Sequence, residues 1–187
     1  MWSSFSRLIG VGLGAGAGSL VYKLIGGGFH GWGVAVALAG TMIVYKQGDI
    51  LESDEKRIAH GCNCSGGFGS GFAKAVAARY PSVRESYLHR YNTRGWKLGE
   101  VQLLGLGDGS GRELANCATQ QRYGSPTEGP YVSYPAIRQV IKNLVQSWPS
   151  GFAIPKIGAG LAGGNWDIIS KIIEEESGAV EVRVYVL

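Results

Sequence analysis

The sequence predicts a three-layer α/β/α sandwich, and two observations carry that prediction. Strand-like and helix-like patterns alternate from residue 42 onward, and the connections between them are short. This alternating order favours a sheet that is covered by helices on both faces. The length of 187 residues suits one such domain with a full core, plus a short appendage.

Six segments have the β-branched and aromatic character of strands, and four have apolar residues at helical spacing. The predicted strands span residues 42–46, 57–61, 99–104, 113–119, 151–155 and 180–187. The predicted helices span residues 72–80, 83–91, 134–148 and 166–176. Proline and glycine residues at the ends of the helical patterns mark where each helix stops: Pro81, Gly95, Pro149 and Gly178.

Composition divides the chain near residue 41. Residues 1–41 contain eleven glycines among small apolar residues, whereas residues 42–187 have the mixed composition of an α/β domain. The uncharged stretch 24–45 is long enough to cross a bilayer, but its glycines and its overlap with a predicted strand weaken that interpretation. Residues 1–41 are therefore interpreted as an extension, either a membrane segment or a poorly ordered leader, and a cleaved signal peptide fits less well.

Charge and cysteine content narrow the function classes. The formal net charge is +4, and Arg7 and Lys23 in the extension supply two of these charges, so about +2 remains for residues 42–187. This charge is too small to indicate a nucleic-acid surface. The three cysteines are an odd number and do not form a disulfide framework, which indicates a reducing compartment and predicts a cytoplasmic protein.

The most informative segment is 58–74, which combines a strand ending with a glycine-rich turn and the start of a helix. His60 and Asn63 lie at the strand end, and four glycines follow before the helix: Gly66, Gly67, Gly69 and Gly71. Glycines let a backbone approach a ligand closely, and a helix start offers unpaired N–H groups to an anion. A second cluster, 158–164, also follows a strand and precedes a helix, so both clusters are expected to face one crevice beyond the carboxyl ends of the strands.

Three other readings of these motifs are weaker. The G-x-G-x-x-G pattern at 158–163 lies too close to the end of the sequence for a dinucleotide domain, and Lys74 does not follow a glycine as a nucleotide-binding P-loop requires. His60, Cys62 and Cys64 have no clear fourth metal ligand, so the cysteines are expected to be buried packing residues and no metal is predicted.

His60 is the candidate catalytic residue. An imidazole at the end of a strand, beside an anion cradle, can exchange protons with a phosphate ester or with an attacking water. The competing interpretation is a satisfied core histidine. Two interpretations also stay open for Asp49, which is either a ligand contact or a turn cap. Tyr185 is either a ligand contact or an aromatic residue of the core.

Together these residues resemble the macro domain family of ADP-ribose-binding modules over nearly all of residues 42–187. The resemblance rests on Val-Tyr-Lys-Gln-Gly-Asp-Ile at 44–50, on the glycine-rich segment 60–73, on Ile-Pro-Lys-Ile-Gly-Ala-Gly-Leu-Ala-Gly-Gly at 154–164 and on the terminal strand with Tyr185. It implies a macro domain-like sandwich with a mixed central sheet, a small-molecule ligand and no cofactor.

The resemblance also implies roles for individual residues. Asp49 would receive the adenine amino group with Ile50 beside it, Asn63 would contact the distal ribose, and Tyr185 would bring an aromatic ring to the adenine. The phosphate contacts would come from the two glycine loops, namely Gly69, Ser70, Gly71, Phe72, Gly158, Ala159, Gly160 and Leu161.

Within the family, His-Gly-Cys-Asn-Cys at 60–64 is most similar to the ADP-ribose 1''-phosphate phosphatases, where a histidine at the position of His60 is implicated in catalysis. The branch that cleaves ADP-ribose from glutamate uses a lysine and an aspartate where this sequence has Gln120 and Ala162. The expected function is therefore metal-independent hydrolysis of ADP-ribose 1''-phosphate. The alternatives are a non-catalytic ADP-ribose reader and, more weakly, an ADP-ribosyl hydrolase.

Overall fold

The computed structural model describes residues 10–11, 21–22, 43–123 and 130–187. The chain divides into two compact units, Met1–Ala39 and Gly40–Leu187. In the first unit, β1 (Gly10–Val11) pairs antiparallel with β2 (Val21–Tyr22). None of the helices in the described part of the chain is long and apolar enough to span a membrane. Most of the predicted span at 24–45 lies outside the described residues.

The second unit contains a six-stranded sheet with four helices. The strands are β3 (Ile43–Gln47), β4 (Arg57–Asn63), β5 (Val101–Gly105), β6 (Glu113–Gln120), β7 (Phe152–Pro155) and β8 (Val182–Val186). The helices are α1 (Gly71–Arg79), α2 (Pro81–Arg94), α3 (Tyr134–Ser147) and α4 (Trp166–Ser177). All ten elements correspond to segments predicted from the sequence.

The strand order is β3-β8-β7-β4-β6-β5. Neighbouring strands are parallel from β3 to β6, and β5 pairs antiparallel with β6 at one edge. The sheet is therefore mixed, as predicted. Because β3, β4, β6, β7 and β8 run in one direction, the segments that follow them all emerge at the same edge.

Two apolar layers cover the sheet, one on each face. Helices α3 and α4 bury one face, and the largest side chains there include Trp148, Phe152, Ile137 and Leu144. Helices α1 and α2 cover the other face, where Tyr87, Val83 and Val76 pack on the sheet. This arrangement confirms the three-layer α/β/α sandwich.

Along β4, alternate residues point to opposite layers. Ile58 and Cys62 belong to the layer under α1 and α2, whereas Ala59 belongs to the layer under α3 and α4. His60 follows the same alternation and points toward α1 and α2, not toward the sheet edge. The register of β4 on β6 shifts between Cys62 and Asn63, so the regular pairing ends where the glycine-rich segment begins.

Candidate functional site

Two glycine-rich loops meet at the carboxyl edge of the parallel strands. Loop A (residues 64–70) lies between β4 and α1, and loop B (residues 157–165) lies between β7 and α4. Gly71, at the end of loop A, has a backbone φ of +54°, and a Cβ placed there would lie 3.3 Å from Cδ1 of Leu161 in loop B. The two loops are therefore adjacent, as expected for segments that follow parallel strands, and a shared crevice between them stays a prediction.

The start of α1 is left open to an anion. Ser70 precedes the helix, but its side chain makes no capping hydrogen bond, and the first turn contains no acidic residue. The starts of α3 and α4 differ, because Ser133 accepts a hydrogen bond from the Ala136 N–H and Asn165 accepts one from the Asp167 N–H. The unpaired N–H groups of α1 and the positive end of its dipole favour a negatively charged group beside loop A.

Loop B is a compact turn built on Gly158. This glycine has a φ of +76°, and a Cβ placed there would lie 2.8 Å from Cγ2 of Val132, so both the backbone conformation and the packing require glycine. The turn is closed by hydrogen bonds from Gly163 N–H to the Gly160 carbonyl and from Gly164 N–H to the Gly158 carbonyl, both at 2.9 Å. Gly160 and Leu161 are exposed at its tip, and Ala159 is half-buried.

The residues of loop A differ in how far they are exposed. Gly69, Ser70 and Gly71 are exposed, and a Cβ at Gly69 would meet nothing within 4 Å. Phe72, in the first turn of α1, is half-buried and packs on the apolar layer. The three exposed residues provide a backbone surface that is open at Gly69 and bordered by Leu161 at Gly71, and Phe72 provides an apolar wall beside it.

Asn63 holds loop A together. Its Oδ1 accepts hydrogen bonds from the N–H groups of Ser65 and Gly67, at 2.9 and 3.1 Å, and its Nδ2 donates to the Gly67 carbonyl at 2.6 Å. The side chain is 6% exposed. In this structure the amide is thus engaged by its own loop, and the contact with a distal ribose that the resemblance implies remains a prediction.

His60 lies in the interior of the α1 and α2 layer. It has no exposed surface, and its ring lies 5.6 Å from the centroids of both Phe68 and Phe72. Its Nε2 lies 2.8 Å from Oδ1 of Asn116, which is its register partner on β6. Asn116 Nδ2 faces acceptors on Val83 and Gln102, so Oδ1 is the group that faces His60. Nε2 therefore carries the proton and donates it to Asn116.

Burial determines the charge of this imidazole. Desolvation lowers the pKa of His60 from 6.5 to about 4, although the hydrogen bond to Asn116 opposes the shift. At pH 7 the ring is neutral, and in the described conformation it does not reach solvent. Of the two readings left open by the sequence, the surroundings match a satisfied core histidine, and direct proton exchange with a phosphate remains a prediction without a geometric contact to support it.

The opposite end of the crevice is formed after β3 and along β8. Asp49 is exposed, and its Oδ1 accepts a hydrogen bond from Leu51 N–H at 2.8 Å, which makes it a turn cap with a solvent-facing carboxylate. Ile50 is 3% exposed and belongs to the same apolar layer as Phe72 and Tyr185. The structure therefore brings Ile50, Phe72 and Tyr185 into one cluster.

Tyr185 is half-buried and tied to the segment that follows β3. Its hydroxyl donates to Oε1 of Glu55 at 3.1 Å, and Glu55 is also paired with Arg183 at 2.7 Å. Desolvation raises the pKa of the Tyr185 hydroxyl, so it stays protonated. This network fixes the orientation of the Tyr185 side chain, with its hydroxyl directed at Glu55.

The loops carry no charged side chains. Between Gly61 and Ala73, and between Ile157 and Trp166, there is no Asp, Glu, Lys or Arg. Exposed Lys74 and Lys156 flank the loops, and Lys156 Nζ lies 5.8 Å from the ring centroid of Trp166. The groups near the loops that an anion could contact are therefore backbone N–H groups, the start of α1 and these two lysines.

Two depressions on the surface lie away from the loops. A cavity of about 320 Å³ is lined by Glu55, Arg57 and Arg183 among others, at the opposite edge of the sheet. A groove of about 540 Å³ lies between α3 and α4, with Tyr134, Ile168 and Glu175 in its walls. We place the candidate site at the loops and not in these cavities, because the uncapped start of α1 lies there and loop B reaches Gly71 through Leu161.

The cysteines behave as the sequence predicts. Cys62, Cys64 and Cys117 are free and buried, and burial raises the pKa of each thiol. Cys62 Sγ lies 3.9 Å from the nitrogens of His60. In the described residues no group of three His, Cys, Asp or Glu side chains could hold a metal ion.

One residue of the site escaped the sequence analysis. Tyr87, on α2, is fully buried, and its hydroxyl contacts Asn63 and Gly66 in loop A. It appeared only as an apolar position of a helix. Its separation of 21 residues from Gly66 and 24 from Asn63 gave no signal that they meet.

Comparison with known proteins places the chain. No protein-family model matches it. It is 31% identical over 154 residues to an uncharacterised 17.5 kDa protein of Enterobacteria phage T4, across 76% of this chain and 95% of that protein. A protein of unknown function from Bacteroides thetaiotaomicron superposes with a TM-score of 0.69 and 32% identity, over 79% of this chain and 99% of that one.

A macrodomain protein from Streptomyces coelicolor superposes with a TM-score of 0.64 and 27% identity, over 78% of this chain and 99% of that one. The chain belongs to the macro domain family. The macrodomain of Mycobacterium tuberculosis DarG shares the fold at 21% identity, with a TM-score of 0.66 over 79% of this chain and 99% of that one. This macro domain is also 25% identical over 175 residues to an ADP-ribose 1''-phosphate phosphatase of Saccharomyces cerevisiae, across 78% of this chain and 98% of that protein.

Proposed function

We propose that this macro domain binds ADP-ribose 1''-phosphate along the carboxyl edge of its sheet and hydrolyses the terminal phosphomonoester. The observation that carries the proposal is the meeting of loop A and loop B beside the uncapped start of α1, which together form a seat for a diphosphate. The yeast relative of nearly the same extent, named as a phosphatase for this substrate, supports the choice of reaction.

The ligand would run from Asp49 to loop A. Asp49 would accept the adenine amino group, with Ile50, Phe72 and Tyr185 as the apolar surface around the base. The amides of Gly69, Ser70 and Gly71 on one side, and of Gly158, Ala159, Gly160 and Leu161 on the other, would face the phosphates.

Positioning and charge stabilisation supply most of the catalysis in phosphoryl transfer, and fixed N–H groups suit both tasks. His60 would have to act from the buried position described above. In a supporting role, the neutral imidazole would form a hydrogen bond and pack against Phe72. In a catalytic role, it would transfer a proton directly and raise the rate by about 10² to 10⁴. The two roles give different kinetics.

A second candidate function is ADP-ribose binding without turnover. The specific observation in its favour is the complete burial of His60, since a reader needs the loops but not a reactive imidazole. The pocket residues are the same in both proposals, so only turnover separates them.

The test is incubation of the purified protein with ADP-ribose 1''-phosphate, with release of inorganic phosphate and binding of ADP-ribose measured in parallel. The phosphatase proposal expects phosphate release. Binding of ADP-ribose with no phosphate released would leave the reader, and failure to bind either compound would remove both proposals.

A His60→Gln variant then separates the roles of the imidazole, with His89→Gln on the exposed face of α2 as the matched control. A catalytic imidazole predicts a loss of about 10² to 10⁴ in kcat with unchanged affinity for ADP-ribose. A supporting role predicts weaker binding with a smaller loss in kcat.

A further inference from the structure

The hydroxyl of Tyr87 lies at the centre of the first turn of loop A. It is 2.9 Å from the Asn63 carbonyl and 3.1 Å from Asn63 Oδ1, and it accepts the Gly66 N–H at 3.2 Å. Asn63 Oδ1 already accepts from two N–H groups, so the single hydroxyl proton is best placed on the Asn63 carbonyl. One side chain of α2 thus satisfies both a donor and an acceptor of the loop backbone.

Packing fixes this hydroxyl in place. The Tyr87 ring stacks on Trp96 with centroids 5.3 Å apart and planes at 27°, and it lies 4.9 Å from the Phe68 ring of loop A. Trp96 is in turn covered by the Arg90 guanidinium at 4.0 Å. Because Tyr87 has no exposed surface, solvent does not compete for the hydrogen bonds of its hydroxyl. The packed ring holds the hydroxyl in position.

Two bonds tie the turn to the end of β6, from Cys64 N–H to the Gln120 carbonyl and from Ser65 Oγ to the Gln121 carbonyl. Asn63 supplies further bonds within the turn. Ser65 and Gly67 donate to its Oδ1, and its Nδ2 donates to the Gly67 carbonyl, so residues 63 to 67 form a closed hydrogen-bonded unit around two side chains. The three exposed residues Gly69, Ser70 and Gly71 follow directly. Their direction depends on how this unit is held, since no side chain of their own anchors them.

We propose that Tyr87 is a positioning residue for the phosphate seat: its hydroxyl and Asn63 hold loop A as one unit and so set the affinity for a diphosphate ligand. This inference rests on the proposed function for the identity of the ligand. It assigns to α2 control over the conformation of loop A.

The test uses Tyr87→Phe in the 187-residue protein, which keeps the ring stack and removes only the hydroxyl. The matched control is Tyr80→Phe, because the Tyr80 hydroxyl is also in the α1 and α2 layer but contacts Arg79 and Arg112, not loop A. Amide hydrogen exchange is measured without ligand, and ADP-ribose binding is measured by calorimetry.

Each substitution is expected to speed amide exchange at the residues that are hydrogen-bonded to the other side chain. Tyr87→Phe should speed exchange at Ser65 and Gly67, which bond to Asn63, and a second variant, Asn63→Ala, should speed exchange at Gly66, which bonds to Tyr87. Tyr87→Phe should also raise the ADP-ribose dissociation constant about tenfold, the scale of one or two lost buried hydrogen bonds, and Tyr80→Phe should change neither quantity.

Unchanged exchange at Ser65 and Gly67 in Tyr87→Phe would overturn the positioning role. Faster exchange with unchanged ADP-ribose affinity would overturn the link to the ligand. If the unchanged protein does not bind ADP-ribose, the proposed function fails with that link, and the exchange rates alone still decide whether Tyr87 holds the loop.

Discussion

His60 is enclosed by groups from three separate parts of the chain. Asn116 lies on β6, Phe68 lies in loop A and Phe72 lies on α1. Together they leave the imidazole without contact with solvent. A histidine in such a place costs free energy when it gains a proton. That cost is measurable whether or not His60 takes part in a reaction.

The free energy of unfolding should therefore fall in acid because of His60. In the folded protein its pKa is about 4, whereas in the unfolded chain it is about 6.5, so between these values only the unfolded chain binds the proton. The contribution is complete above pH 6.5 and is lost as the pH falls toward 4. From pH 8 to pH 5 this amounts to about 2 kcal/mol.

Urea unfolding at pH 8 and pH 5 measures this quantity. His60→Gln should show a pH dependence about 2 kcal/mol smaller than that of the unchanged protein, and His89→Gln should retain the full dependence. An equal dependence in His60→Gln and the unchanged protein would show that the buried imidazole is not the titrating group.

The sequence alone predicted that the two glycine clusters lie in loops between a strand and a helix, and that His60 lies near the end of a strand. It could not predict which layer receives the imidazole, because that depends on which helices cover each face of the sheet. Nor could it predict the internal bonds of Asn63, because Ser65, Gly67 and Tyr87 compete with a ligand for the same amide. Local sequence does not reveal the outcome of such competition.

At the scale of elements, loop B depends on close backbone contact. A Cβ at Gly164 would lie 2.6 Å from the carbonyl oxygen of Gly158, a backbone atom that can move only with the turn. A Cβ at Gly160, in the same loop, would meet nothing within 4 Å. The two glycines are thus a natural pair for testing how tightly the turn is packed.

Gly164→Ala should lower the free energy of unfolding by about 1 to 3 kcal/mol, the usual cost of overpacking a fixed backbone. Gly160→Ala should change it by less than about 0.5 kcal/mol, as at most surface positions. Chemical denaturation of both variants measures the difference. Equal stability of the two would mean that loop B opens freely to accept the methyl group.

The bounds of the elements were predictable within about two residues for most strands and helices, because their hydrophobic periodicity is regular and prolines and glycines punctuate it. The largest differences are at α2, which begins at Pro81 and ends at Arg94, three residues beyond the predicted end. Pro81 was read as a stop, and it is also the first residue of the next helix, where its missing N–H costs nothing.

At the scale of the whole molecule, alternating strands and helices were enough to predict the three layers. Strand order was beyond reach, because pairing joins segments that are far apart in sequence, such as β3 with β8. The family resemblance predicted a mixed sheet. It did not predict that β5 would be the antiparallel strand or that it would lie at an edge. The face of the sheet on which each helix packs was likewise visible only in the folded chain.

The unit Gly40–Leu187 contains both loops and every residue proposed to contact the ligand. A fragment of residues 42–187 should therefore unfold cooperatively and bind ADP-ribose with the affinity of the full 187-residue chain. Calorimetry on both proteins measures this. A fragment that folds but binds more weakly would show that residues 1–41 contribute to the site.

The same pair of proteins tests the membrane interpretation of residues 24–45. If that segment spans a bilayer, the full chain should partition into the membrane fraction of cells and the fragment should remain soluble. Recovery of both proteins in the soluble fraction would contradict the span.

In the sheet, β3 has β8 as its partner, although the two strands are separated by nearly the whole domain. During synthesis, β3 and the Asp49 turn have no strand to pair with until β8 has left the ribosome. Loop A, between β4 and α1, has its partners much earlier. Loop A and its supports Asn63 and Tyr87 can thus be held in place before loop B and the Asp49 turn, because loop B follows β7 and the Asp49 turn waits for β8.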